Sequence, residues 1–132
     1  MMKGAGAMNV VEGQSAEFRT ELERVLNSET LGNSEAVCRL LAYLGEKSLA
    51  GDHAGLKEFT IGMEAFKKPP DYDPQLDPTV RVLASKLRHK LDDYYRTEGI
   101  DNPVRIELPK GHYWLKFQIR PAGSNGPPST VP

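Results

Sequence analysis

Basic side chains are concentrated in one predicted helix, over residues 78–97, and they lie off its apolar side. An Arg side chain can donate two parallel hydrogen bonds to guanine, and a Lys side chain can neutralise a phosphate. Short residues at Thr79 and Ser85 would let the helix backbone approach a nucleic acid closely. The pattern therefore predicts a nucleic-acid contact on one helix face. Its basic and imidazole members are Arg81, Lys86, Arg88, His89 and Lys90.

The same residues also fit a plain solvated helix face. The spacings Arg88–Asp92 and Lys90–Asp93 allow ion pairs within the helix, and these would use the charges internally. Arg105, further along the chain, could extend a basic surface or pair with a nearby carboxylate. The sequence leaves both interpretations open.

Hydrophobic periodicity predicts the elements that must position these side chains. Apolar residues at helical spacing predict helices beginning at Ser15 and covering 35–50, 57–66 and 78–97. Asp77 and Pro78 are typical of the residues that open a helix. The three prolines in residues 67–77 exclude a regular helix there, so a loop is expected.

Alternating apolar residues after Gly99 predict a β-hairpin over residues 104–119. Val104 and Ile106 alternate with polar residues in the first strand, and the second strand runs to Ile119. The segment 109–111, Pro-Lys-Gly, is expected to form a tight turn between the strands. The outward residues of this turn and of the second strand are Lys110, His112, Trp114 and Lys116.

Composition and motifs give little support to other functional classes. The chain has 132 residues and a formal net charge of −1, which disfavours a polybasic nucleic-acid binder on average. Residues 1–56 carry a net charge of −3 and residues 57–120 a net charge of +2, so a local basic surface is still possible. No catalytic, phosphate-loop or zinc motif is visible, so we expect no enzyme activity and no cofactor or metal.

The chain is expected to be a single cytoplasmic domain. No apolar run is long enough for a membrane span, and the first residues do not read as a signal peptide. The only cysteine, Cys38, excludes an internal disulfide. We divide the chain into a flexible arm over 1–14, a folded domain over 15–120 and a disordered tail over 121–132.

Two long stretches resemble bacterial winged-helix domains. VRVLASKLRHKLDD followed by VRIELPKGHYWLKF resembles the recognition helix and C-terminal hairpin of OmpR-type effector domains. LKEFTIGMEAF, DYDPQLDPTVRV, KLRHKLDDYY and NPVRIELPKGHYWL are similar to the winged-helix domains found ahead of tetratricopeptide or adenylate-cyclase-like regions in signalling proteins. The resemblance covers about residues 18–117.

The resemblance implies an α+β fold, mainly α: a winged helix-turn-helix with a three-helix core, an extra N-terminal helix and a hairpin wing over 104–119. It implies a cytoplasmic transcriptional regulator in which helix 78–97 enters the major groove of double-stranded DNA. Base edges would face Thr79, Val82, Ser85 and Lys86. Arg81, Arg88 and His89 would lie near phosphates or the rim of the groove. The complete predicted DNA-binding set is Thr79, Arg81, Val82, Ser85, Lys86, Arg88, His89, Lys110, His112 and Lys116.

An alternative function remains open from the sequence. The fold could serve as a non-catalytic protein-interaction or dimerisation module. The small number of basic residues on the predicted interface and the net negative charge of residues 1–56 are consistent with this function. The contact surface would then be the helix containing Phe18 and Leu26, or an exposed Trp114, and the partner could be a second copy of the chain.

Overall fold

A computed structural model describes the backbone of residues 5–54 and 56–120, and the side chains of residues 15–54 and 56–120. The described part is mainly helical with one small two-stranded antiparallel sheet, which confirms the α+β, mainly α expectation. The predicted tail and residues 1–4 of the predicted arm lie outside the described residues. The elements are α1 Ala5–Leu26, α2 Glu29–Gly32, α3 Glu35–Leu49, α4 Glu58–Phe66, α5 Thr79–Arg96, β1 Val104–Glu107 and β2 Lys116–Ile119.

The N-terminal helix begins earlier than the sequence pattern predicts. α1 starts at Ala5, so it includes most of the segment expected to be an arm, and Ser15 lies inside the helix instead of capping it. Gly6 and Gly13 suggested an irregular segment. A glycine costs a helix only about 1 kcal/mol relative to alanine and does not forbid helical geometry.

Serine side chains set the boundaries of the next two helices. Ser28 Oγ accepts a hydrogen bond from the Leu31 backbone N–H at 3.3 Å and opens α2, a four-residue helix too short to show periodicity. Ser34 Oγ accepts from the Val37 N–H at 3.4 Å and opens α3, which begins at Glu35 as the predicted range does. The predicted break between the first two long helices therefore contains an additional helical turn.

The approach to α5 is fixed by contacts of the Pro-rich loop. Tyr72 is buried against Gly62 of α4, where a Cβ atom would lie 2.4 Å from the Tyr72 ring, so the glycine is required there. Asp77 Oδ1 accepts a hydrogen bond from the Thr79 N–H at 3.2 Å. Helix α5 thus begins at Thr79, one residue after the predicted start, with Asp77 still serving its first turn.

The hairpin is shorter and its connection longer than predicted. β1 and β2 pair antiparallel, with Val104 opposite Ile119 and Glu107 opposite Lys116. Residues 108–115 connect them, and we call this segment the wing loop. The chain does turn at Lys110 and Gly111, where Gly111 has a φ of 97°, but this turn lies inside the longer wing loop and does not join the strands directly. Leu108 and Leu115, at the two ends of the loop, are buried in the core. Ile119, expected to face inward, is 46% exposed.

One hydrophobic core joins the helices to the hairpin. Helix α1 packs on α3 and β1, while α3 and α4 both pack on α5. The core places α5 and the wing loop side by side, with one face of α5 left to solvent. Its fully buried large side chains include Leu31, Leu40, Leu41, Leu44, Ile61, Leu87 and Ile106.

Candidate nucleic-acid interface

The solvent-facing side of α5 carries four residues of the predicted set. Val82, Ser85, Lys86 and His89 are all exposed. Because an α-helix rotates by about 100° per residue, they lie within an arc of about 100° around the helix axis. The Ser85, Lys86 and His89 side chains form no hydrogen bond or ion pair with the described residues. We call these four residues the open face of α5.

Arg81 lies at the edge of the open face and is partly used inside the protein. Its Nη1 donates to Glu58 Oε2 at 2.9 Å and to the Pro74 carbonyl at 3.0 Å. Thr79, just before it, donates its hydroxyl to Asp77. Both residues therefore hold the loop before α5 against the start of the helix.

Arg88 points from α5 toward the wing loop. Its Nε donates to the Leu108 carbonyl at 2.9 Å and its Nη2 donates to the Pro109 carbonyl at 3.3 Å. The alternative ion pair with Asp92, one helical turn away, does not form, because Asp92 pairs with Arg105 at 3.3 Å. Arg88 is half-buried as a result.

A groove of about 400 Å³ separates α5 from β1 and the wing loop. Within its lining, the single positive charge of Arg105 is shared by two carboxylates, Asp92 at 3.3 Å and Glu107 at 3.1 Å. The interpretation in which Arg105 pairs with a nearby carboxylate is therefore the one that the structure supports. Members of the predicted set that line the groove are Ser85, Arg88, His89 and Lys110.

The wing loop exposes its one lysine and half-buries its aromatic residues, Tyr113 and Trp114. Lys110 is exposed next to Gly111, whose φ of 97° is unfavourable for other residues. Trp114, which the alternation places on the outward side and which could also pack on a neighbouring element, is half-buried: its ring stacks on His112, at a centroid distance of 3.7 Å, and on His53, at 5.1 Å. His112 is half-buried in this stack, and its Nδ1 atom has no hydrogen-bond partner among the described residues.

Lys116 completes the predicted set at the start of β2. Its side chain is exposed and forms no ion pair with the described residues, although its backbone lies opposite Glu107. The structure thus brings Lys110 and two residues of the open face, Ser85 and His89, to one groove. It places Thr79 and Arg81 at the far end of α5.

The residues expected to form the contact surface of the interaction module, Phe18, Leu26 and Trp114, are half-buried in the structure. Phe18 stacks on Phe117 at a centroid distance of 4.8 Å, and Leu22 and Val25 belong to the core. Trp114 is held in the histidine stack. The helical face and the tryptophan are partly covered, because the hairpin contacts α1 through Phe117 and the wing loop contacts the loop after α3 through Trp114.

A buried polar cluster behind α5 was missed by the sequence analysis. Glu21 of α1 is fully buried, and its Oε2 accepts hydrogen bonds from the Tyr95 hydroxyl at 2.7 Å and from Asn102 Nδ2 at 2.9 Å. Asn102 also donates to the Tyr94 hydroxyl at 2.9 Å. The available signal was the position of Glu21, three residues after Phe18, which places this carboxylate on the apolar face of the helix and indicates that it is buried.

This cluster changes the acidity of a tyrosine. Burial, reinforced by the hydrogen bond to the Glu21 carboxylate and by its charge, raises the pKa of Tyr95 far above its ordinary value of 10.0. The neutral phenol is thereby held as a donor to Glu21, while its oxygen accepts from the Ile106 N–H at 3.1 Å. The cluster links α1, α5 and β1 and fixes the orientation of α5.

The described residues offer no other recognisable centre. Within 15–54 and 56–120, no group of three His, Cys, Asp or Glu side chains is placed to hold a metal ion. No helix in the described part of the chain is both long and apolar enough to cross a membrane. Comparisons with protein-family models, with curated proteins and with solved structures found no match to this chain.

Proposed function

We propose that this chain is a winged-helix DNA-binding protein and acts as a transcriptional regulator. In this proposal α3, α4 and α5 form the three-helix core, α5 enters the major groove, and the hairpin 104–119 is the wing. The order of these elements and the motifs similar to OmpR-type effector domains support this assignment.

The observation that carries the proposal is that the exposed lysines of α5 and of the hairpin have no internal partner among the described residues. Lys86, Lys110 and Lys116 are exposed on α5 and the hairpin, and none forms an ion pair with a described residue. Arg81 and Arg105, in contrast, are paired with carboxylates. Unpaired lysines beside an exposed helix face are suited to phosphates on both sides of a groove.

Only three exposed lysines, Lys86, Lys110 and Lys116, lie on α5 and the hairpin, and this small number sets the expected strength of DNA binding. Each neutralised phosphate contributes about −0.9 to the slope of log K against log salt concentration. Three lysine contacts therefore predict a slope of about −3. Binding to a duplex of arbitrary sequence should consequently be weak and measurable only at low salt.

The test is fluorescence anisotropy with a labelled mixed-sequence duplex at several salt concentrations, from about 50 to 200 mM. Wild-type protein should bind with the slope given above, and Lys86→Ala should reduce the slope by about 0.9. Arg39→Ala removes one exposed charge from α3, outside α5 and the hairpin, and should leave the slope unchanged. Absence of salt-dependent binding by the wild type would refute the proposal.

A further inference from the structure

Arg88 differs from the lysines of the interface because its hydrogen bonds connect two elements of the protein. Two nitrogens of its guanidinium donate to the carbonyls of Leu108 and Pro109, at 2.9 and 3.3 Å. These carbonyls lie at the start of the wing loop, immediately before Lys110. An arginine can hold two acceptors in a fixed plane, whereas the single ammonium group of a lysine cannot.

The other end of the wing loop is held independently. The Leu115 N–H donates to Ser48 Oγ at 2.8 Å, and Trp114 stacks on His53 of the loop after α3. The tip at Lys110 and Gly111 lies between these two attachments. Without Arg88, the loop would be attached to the helices only at its second end and through the buried Leu108 side chain.

We propose that Arg88 is a positioning residue, which fixes the wing loop against α5 so that Lys110 and the open face contact DNA together. Its contribution passes through Lys110 and not through a phosphate contact of its own. The inference rests on the proposed function and assigns one residue of the predicted DNA-binding set a different role.

A double-mutant cycle between Arg88 and Lys110 tests the inference through the salt dependence of DNA binding. Lys110→Ala should reduce the slope by about 0.9, and Arg88→Ala should reduce it by the same amount because the Lys110 contact is lost. The double variant should match Arg88→Ala, with affinities agreeing within about twofold. A loss of about 1.8 in the double variant would show that Arg88 neutralises its own phosphate and would overturn the inference.

Hydrogen exchange of the free protein gives a second readout that does not depend on DNA. Arg88→Ala should accelerate amide exchange at Leu108 and in residues 110–112, Arg88→Lys should do so less, and Lys110→Ala should leave exchange unchanged. Arg81→Ala is the matched control, because Arg81 lies on the same helix but contacts Glu58 and Pro74. Unchanged exchange in folded Arg88→Ala would overturn the inference, whereas failure of wild-type protein to bind DNA would refute only the proposed function.

Discussion

Helix α5 carries polar side chains in two very different settings. On its open face, Lys86 and His89 point into solvent without partners among the described residues. On its buried side, Tyr94 and Tyr95 join the Glu21 cluster, in which the carboxylate accepts several hydrogen bonds. The buried polar groups stabilise the placement of the helix, and the exposed ones remain available for a ligand.

The largest expected effect on stability comes from removing the Glu21 carboxylate on the buried side of α5. Glu21→Ala removes the acceptor of Tyr95 and Asn102 and leaves buried donors unsatisfied, so the free energy of unfolding should fall by about 3 kcal/mol. Urea unfolding followed by circular dichroism measures this change. Glu23→Ala, at an exposed position of the same helix, should change it by less than about 0.5 kcal/mol. Equal effects of the two substitutions would contradict the role assigned to the cluster.

An intermediate effect on the free energy of unfolding is expected at alkaline pH, where Tyr95 loses its proton in the unfolded chain. Because the pKa of Tyr95 is raised in the folded protein, its contribution to stability is present below the unfolded value of about 10 and is lost as pH rises above it. Tyr95→Phe should make the decline of stability above pH 10 shallower. At neutral pH it should cost about 1–2 kcal/mol, because the hydrogen bonds to Glu21 and from Ile106 are lost.

Urea unfolding at pH values from about 8 to 11, which span the ordinary tyrosine pKa of about 10, measures this slope for wild type and for Tyr95→Phe. Some decline should remain in Tyr95→Phe, because burial also raises the pKa of Tyr94. An identical alkaline slope in the two proteins would contradict the prediction.

The smallest effect on stability is expected at acid pH, from the carboxylate of Asp77 at the start of α5. Hydrogen bonds from Lys68 and from Thr79 lower the pKa of Asp77 from 3.8 to about 2. Its contribution to stability is therefore present above pH 3.8 and is lost as pH falls toward 2. Thermal unfolding over this range should show a shallower acid dependence for Asp77→Asn than for wild type. Asp71→Asn, at an exposed loop position without a described hydrogen bond, should behave as wild type.

Local sequence signals predicted the parts of the fold that depend on neighbouring residues. Apolar residues at helical spacing identified α3, α4 and α5, and Asp77 marked the start of α5 within two residues. α2 and the N-terminal part of α1 were missed, because a single turn shows no period and because glycines in a helix are tolerated.

The side-chain partners were harder to predict because they are distant in sequence. Arg88 and Asp92 have the spacing of a helical ion pair, yet each finds a partner in the hairpin instead. Alternation alone suggested that Trp114 faces outward, but residues of the loop after α3 cover it. The residue types indicated the chemistry of the interface, and only the packing of the hairpin decided which groups remain unpaired.

The histidine stack around Trp114 gives the protein a built-in optical probe. The chain contains a single tryptophan, so all indole emission comes from the wing loop. The wavelength and intensity of that emission depend on the groups that contact the indole, here the imidazoles of His53 and His112. Detachment of the wing loop from the helices would therefore change the intrinsic fluorescence of unlabelled protein, and its kinetics could be followed in real time.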